Sequence, residues 1–75
     1  MAVLRVLTHQ GDHSIEYEPD ADDARLSEAR ALFEAKVGKG YLAFVPDGSR
    51  TGGTQIRRFD PAAREIILQP AISGG

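Results

Sequence analysis

Apolar residues fall along this chain in short runs of two different periods. Residues 2–8 are aliphatic or β-branched except at Arg5, and such a run predicts a strand buried on both faces or nearly so. Gln10, Gly11 and Asp12 form a turn signal, after which His13 to Glu18 alternates. Ile15 and Tyr17 take one face, and Ser14, Glu16 and Glu18 the other; strand, short turn and alternating strand make a β-hairpin. Pro19 stops the strand, and Asp20, Asp22 and Asp23 offer carboxylates for a helix start, where they oppose the positive end of the helix dipole. Leu26, Ala29, Phe33 and Val37 then recur at steps of three and four, with Leu32 beside them, which predicts an amphipathic helix. Gly38 is the expected left-handed cap, and Lys36 and Lys39 sit where a helix C-terminus favours cations.

The second half reads as three strands. Tyr41 to Val45 is a short apolar run with aromatics, and Pro46 to Gly53 reads as a loop. Thr54 to Phe59 is polar enough for an edge strand, Asp60 to Ala63 a turn, and Glu65 to Gln69 the last strand, which Pro70 ends. Ile66 and Leu68 share one side of that strand and Ile67 the other. With the first pair against the helix, Ile67 lies on the open face of the sheet. An apolar patch there would suit a protein partner, although a single exposed isoleucine is ordinary. The order β-β-α-β-β-β is an α+β pattern in which a five-stranded mixed sheet covers the stripe of one helix. Parallel pairing of the first and last strands puts the two most apolar segments at the sheet centre. Residues 1–70 are thus one domain, and residues 71–75 a flexible tail leaving a central strand.

Composition narrows the function classes. Seventy-five residues make one small domain that buries only about 60% of its unfolded surface. So small a body leaves little room for a deep substrate cleft with its own catalytic constellation, and a role other than that of an enzyme is expected. The absence of cysteine removes disulfides, thiolate metal sites and a thiol nucleophile. A net charge of −2, with nine basic and eleven acidic residues spread along the chain, is no electrostatic footprint for nucleic acid. The opening residues 1–7 are too short and too interrupted for a signal peptide, and no stretch approaches a membrane span; a cytoplasmic protein is expected. Lys36 and Lys39 are the only lysines, so few side-chain amines are offered for chains of the protein to form on itself.

Several local patterns have bland explanations. Gly48 to Thr54 resembles a phosphate-binding loop only superficially: it has no lysine and opens no helix, so a connection between strands is expected. His9 and His13 flank the first turn with Asp12 between them, a weak donor set for a metal, and no metal site is expected. Arg57 and Arg58 precede Phe59 and could meet phosphate or RNA. As neighbours on a strand they would point to opposite faces, and edge charges that discourage aggregation are the preferred reading.

The sequence given closes on Pro70, Ala71, Ile72, Ser73, Gly74 and Gly75. Two residues without Cβ can thread extended through a narrow channel, and a glycine carboxylate can be activated with ATP as an acyl-adenylate. The alternative is a frayed terminus. The element order with this ending resembles the ubiquitin-like β-grasp family. Residues 65–75, from Glu65 through the apolar strand and Pro70 to Gly74 and Gly75, are similar to its bacterial sulfur-carrier branch. That branch includes the small subunit of molybdopterin synthase, the thiamine-thiazole sulfur carrier and carriers feeding tRNA thiolation. The segments 46–53 and 55–61 match no motif of those carriers.

The resemblance implies a co-substrate with Gly75 as its reacting terminus. A partner adenylating enzyme of the ubiquitin-activating type would activate the carboxylate with ATP and Mg²⁺. A persulfide sulfur would displace AMP, leaving a thiocarboxylate for a sulfur-acceptor enzyme. Gly74, Ser73 and Ile72 would thread into the activating enzyme, and Pro70 and Ile67 would contact it. The chain itself would bind no cofactor. A protein modifier joined through Gly75 to target lysines is the second expectation. A β-grasp binding or assembly module that is not conjugated is the third.

Overall fold

The structure, a computed structural model, describes residues 1–20, 24–49 and 52–71. Strands β1 (Ala2–Thr8) and β2 (Gly11–Tyr17) precede helix α1 (Ala24–Gly38), and β3 (Leu42–Ser49), β4 (Gly52–Ile56) and β5 (Glu65–Gln69) follow it. Among the described residues the strands form one mixed sheet in the order β2-β1-β5-β3-β4. All neighbours are antiparallel except β1 and β5, which run parallel. This is a β-grasp-like arrangement, and the expected α+β order is the observed one. Strand β5 occupies the centre because its Ile66 and Leu68 are completely buried, and the middle of a sheet is where such a strand leaves least apolar surface in water.

The helix packs on one face only. Ala29 and Phe33 are its buried residues, and Leu26, Leu32 and Val37 pack half-buried around the same core. From the sheet, Leu4, Val6, Tyr17, Ala43, Ile66 and Leu68 meet them. The expectation that β1 is buried on both faces or nearly so holds for one face only: Ala2, Leu4 and Val6 are buried, while Val3 and Leu7 are half-buried and Arg5 is exposed. With only one helix, the second face of the sheet has no covering layer among the described residues.

Other boundaries also differ from the sequence reading. The first hairpin turns at His9 and Gln10, with Gly11 already paired to Thr8. The Thr8 side chain holds the turn: its Oγ1 accepts from the Gln10 N–H (3.2 Å) and donates to the Gly11 carbonyl (2.7 Å), a local alternative to ladder bonds. The helix begins at Ala24 with no acid in its first turn; Asp22 and Asp23 lie outside the described residues.

At its other end the left-handed residue is Gly40 (φ 99°), not Gly38, which closes the helix. The Tyr41 N–H donates to the Lys36 carbonyl (3.0 Å) and the Gly40 N–H to the Val37 carbonyl (2.9 Å). These paired bonds make a Schellman motif, whose turning residue needs a positive φ that glycine adopts without strain. The motif also brings the Lys36 ammonium within 5.0 Å of the Tyr41 ring centroid, a cation–π contact.

The segment expected as a loop, 46–53, is mostly a continued hairpin, with Pro46 opposite Gly53, Ser49 opposite Gly52 and an irregularity between. The Val45 backbone approaches so closely that a Cβ on Gly53 would lie 2.6 Å from its carbonyl carbon; only glycine fits there. Strand β4 ends at Ile56, and Arg57 and Arg58 occupy a bend beyond it. Asp60 then anchors a turn, accepting from the Ala62 N–H at Oδ1 (3.0 Å) and from the Ala63 N–H at its carbonyl (3.1 Å).

Phe59 folds inward from this connection. Its ring lies 5.8 Å from that of Tyr17 and 5.7 Å from that of Phe33, the latter edge-on, geometries that aromatic pairs favour. The Tyr17 hydroxyl is buried with no hydrogen-bond partner among the described residues. Burial, and secondarily the charge of Asp60, raise its pKa. A raised phenol pKa means that the neutral, folded form is favoured fully below the unfolded value of about 10 and that this contribution is lost as pH rises through the folded value. Tyr17→Phe is therefore expected to leave thermal stability at about pH 7 unchanged or slightly higher, since it removes an unpaired buried hydroxyl. Above about pH 10 it should lose stability less steeply than the native chain. Thermal melts across that range check both signs.

Candidate functional site

The predicted tail springs from the most firmly held strand. Strand β5 is paired on both sides, to β1 over Val3 to Val6 and to β3 over Leu42 to Phe44. An additional bond from the Val3 N–H to the Arg64 carbonyl (2.9 Å) secures its entry. At its exit, Gln69 still pairs with Leu42, Pro70 is half-buried and Ala71 is exposed. The predicted threading residues Ile72, Ser73 and Gly74 and the reacting residue Gly75 lie outside the described residues.

Ile67 takes the position the alternation assigns to it, half-buried on the face away from the helix. It is not alone there. The register places Arg5 and Phe44 directly beside it, with Ser14 and Gln55 completing the row across the sheet. Val3, Leu7 and Leu42 share the face, all half-buried and none part of the core packed under the helix. The Arg5 Nε lies 2.7 Å from Glu65 Oε2. With the arginine side chain 53% exposed, that ion pair is worth at most about 1 kcal/mol. Its effect is to set one charged pair within the apolar band, between Val3 and Leu7 and beside Ile67.

Parity within β5 singles out Ile67 but not its companions on the neighbouring strands. The signal was present in residues 2–8 and 41–45, which are apolar at both parities. That pattern reads as double burial. In this sheet, β1 and β3 bury one parity under the helix and leave the other as a band running beside the root of the tail.

The remaining candidates separate. Asp12 pairs with Leu7 and His13 with Val6, so their side chains leave opposite faces of the sheet, and His9 stands in the turn. No cluster of three or more metal-ligating side chains occurs among the described residues. Arg57 and Arg58 are corrected in the other direction. Because both lie past the end of β4, the alternation rule does not separate them, and they line one groove together with Arg30 of α1. No helix among the described residues is long and apolar enough to cross a membrane.

Comparison with protein-family models, with curated proteins and with solved structures finds no match.

Proposed function

We propose that the protein is a ubiquitin-like sulfur carrier: a co-substrate whose Gly75 carboxylate is adenylated by a partner enzyme and converted to a thiocarboxylate. The observation that carries this reading is the position of β5. A strand paired on both sides at the sheet centre carries Pro70 and Ala71, the last described residues, out of the sheet beside an apolar band that includes Ile67 and Phe44 and that nothing covers among the described residues. Docking by the band and threading by the tail are complementary tasks. The band supplies area for a protein contact, and Gly74 and Gly75 would supply a main chain slim enough to enter an active site.

The chemistry belongs to the partner. A carboxylate is a poor electrophile, so ATP with Mg²⁺ converts it to the acyl-adenylate, releasing pyrophosphate. A persulfide then attacks the carbonyl and expels AMP, giving an acyl disulfide. A thiol cleaves the sulfur–sulfur bond, leaving the thiocarboxylate and a disulfide. The developing oxyanion needs preorganised donors, which an adenylating enzyme provides. Conjugation of Gly75 to target lysines shares the first step and differs only in the nucleophile.

The test incubates the chain with ATP, Mg²⁺ and a cleared extract of its own host and follows its intact mass. The reading expects an ATP-dependent product heavier by the difference between one sulfur and one oxygen. Ile67→Asp should keep the fold but lower the initial rate about tenfold or more, as a charge buried at the centre of a docking patch costs 2 kcal/mol or so. Unchanged rates for Ile67→Asp would remove the band from the account. No ATP-dependent product would remove the activation.

A further inference from the structure

On the helix side of the sheet, opposite the Ile67 band, an open groove of about 520 Å³ runs between the C-terminal half of α1 and the segment after β4. Its apolar lining comes from Phe33, Val37 and Phe59, and its rim from Arg30, Arg57 and Arg58. We propose that this groove is a docking site for an acidic segment of a partner protein, one in which carboxylate side chains flank a large apolar residue. The inference does not depend on the fate of Gly75.

Charge complementarity carries it. The chain as a whole is negative, at −2, yet three of its nine lysines and arginines converge on one groove in which Glu34 is the acidic member. All three arginines are exposed, and among the described residues none of them is in an ion pair. Like charges are gathered here at the cost of mutual repulsion, which an anionic occupant relieves. The residues are arginines, whose planar forks donate paired N–H bonds to a single carboxylate.

The groove is also built rather than incidental. The Arg30 guanidinium lies 5.7 Å from the Phe59 ring centroid, and Phe59 is wedged against Tyr17 and Phe33. The aromatic wedge therefore fixes the connection that presents Arg57 and Arg58. A half-buried Phe59 and Val37 on the lining leave a foothold that a purely ionic ligand would not use.

An acidic peptide fits these observations better than nucleic acid. A polyphosphate backbone is bound by neutralising its phosphates with Lys and Arg, and this groove carries Glu34 within it and is followed by Asp60 in the chain. Since the groove and the Ile67 band lie on opposite faces, an acidic segment could hold the protein while its β5 exit stays free.

The experiment measures fluorescence anisotropy of a short labelled peptide, glutamates on either side of a central leucine-phenylalanine pair, with the full chain. Parallel titrations use the same peptide with glutamine for glutamate, and a single-stranded oligonucleotide. Amide chemical shifts locate the contact. The expected result is salt-sensitive binding of the glutamate peptide, with shifts confined to α1 and residues 57–59. The double reversal Arg57→Glu with Arg58→Glu should weaken it at least tenfold, and Glu34→Gln should strengthen it. All three residues are exposed, so these variants should keep the native spectrum of shifts elsewhere. Absence of binding, equal binding of the glutamine peptide, tighter binding of the oligonucleotide, or shifts centred on Ile67 would each overturn the proposal.

Discussion

Deleting Gly74 and Gly75 should abolish ATP-dependent modification of the chain completely while leaving its unfolding transition in place. The two halves of that result have separate causes. Activation needs a carboxylate that reaches the partner's active site, and after the deletion Ser73 would present its own carboxylate two residues short, about 7 Å at full extension. A misplacement of even about 1 Å can cost two orders of magnitude in rate. Stability, by contrast, resides upstream: the described core ends at Leu68, and changes away from such packing shift stability by about 0.5 kcal/mol or less. Urea unfolding of the native and shortened chains should give coincident midpoints, and mass analysis after incubation with ATP and host extract should show product only for the native one. A binding module with an incidental ending would keep its partner after the deletion. Persistence of an ATP-dependent product in the shortened chain would contradict the assignment of Gly75.

The second large effect is on folding. Phe33 is 1% exposed and joins the helix to the sheet core and to the Phe59 wedge. Phe33→Ala should cost about 3–5 kcal/mol, the sum of lost transfer energy and a cavity that the surroundings fill only partly. A domain of 75 residues has a total stability of about 4–11 kcal/mol at the usual values per residue, so this variant should lose from about a quarter of its stability to all of it. Phe44→Ala provides the contrast. Phe44 is just as aromatic but lies half-buried in the band beside Ile67, outside the core under the helix. Its loss should cost under about 2 kcal/mol, near the centre of the range for point substitutions. Denaturant titrations of both variants measure the difference between the two faces; equal losses would mean that the open face is part of the core.

Much of this architecture is legible in the chain because its local signals agree with one another. The alternation of Ile15 and Tyr17, the stripe from Leu26 to Val37 and the parity of Ile66 and Leu68 all point to the same layer, and each of these residues packs in or against the core. The errors arise where an end or a face is decided by neighbours rather than by period. Gly38 and Gly40 are both suitable helix stops. The choice of Gly40 follows from the pair of bonds closed by Tyr41 and Gly40, which no local composition specifies. The strand-loop boundary at Pro46 was obscured by residues that disfavour strands, yet the β3–β4 ladder continues through them with an irregular register.

The sites were legible unevenly for the same reason. Ile67 follows from parity within one strand, but the band around it depends on which strands lie side by side, and so on the order β1-β5-β3. The arginine groove was hidden by a boundary: with β4 taken to run on to Phe59, Arg57 and Arg58 face opposite ways, and with β4 ending at Ile56 they share a rim with Arg30. A shift of three residues at a strand end thus separates a dispersed charge from a site.

The central claim, that Gly75 carries an activatable carboxylate used for sulfur, is tested most directly by the intact mass of the protein recovered from its own host cells. The account predicts a chain ending at Gly75, part of it heavier by the difference between one sulfur and one oxygen, with that difference localised to the C-terminal peptide. A ladder of species joined through Gly75 to lysines would replace sulfur transfer with conjugation. A chain that continues past Gly75, or the free acid alone even after incubation with ATP and host extract, would contradict the account.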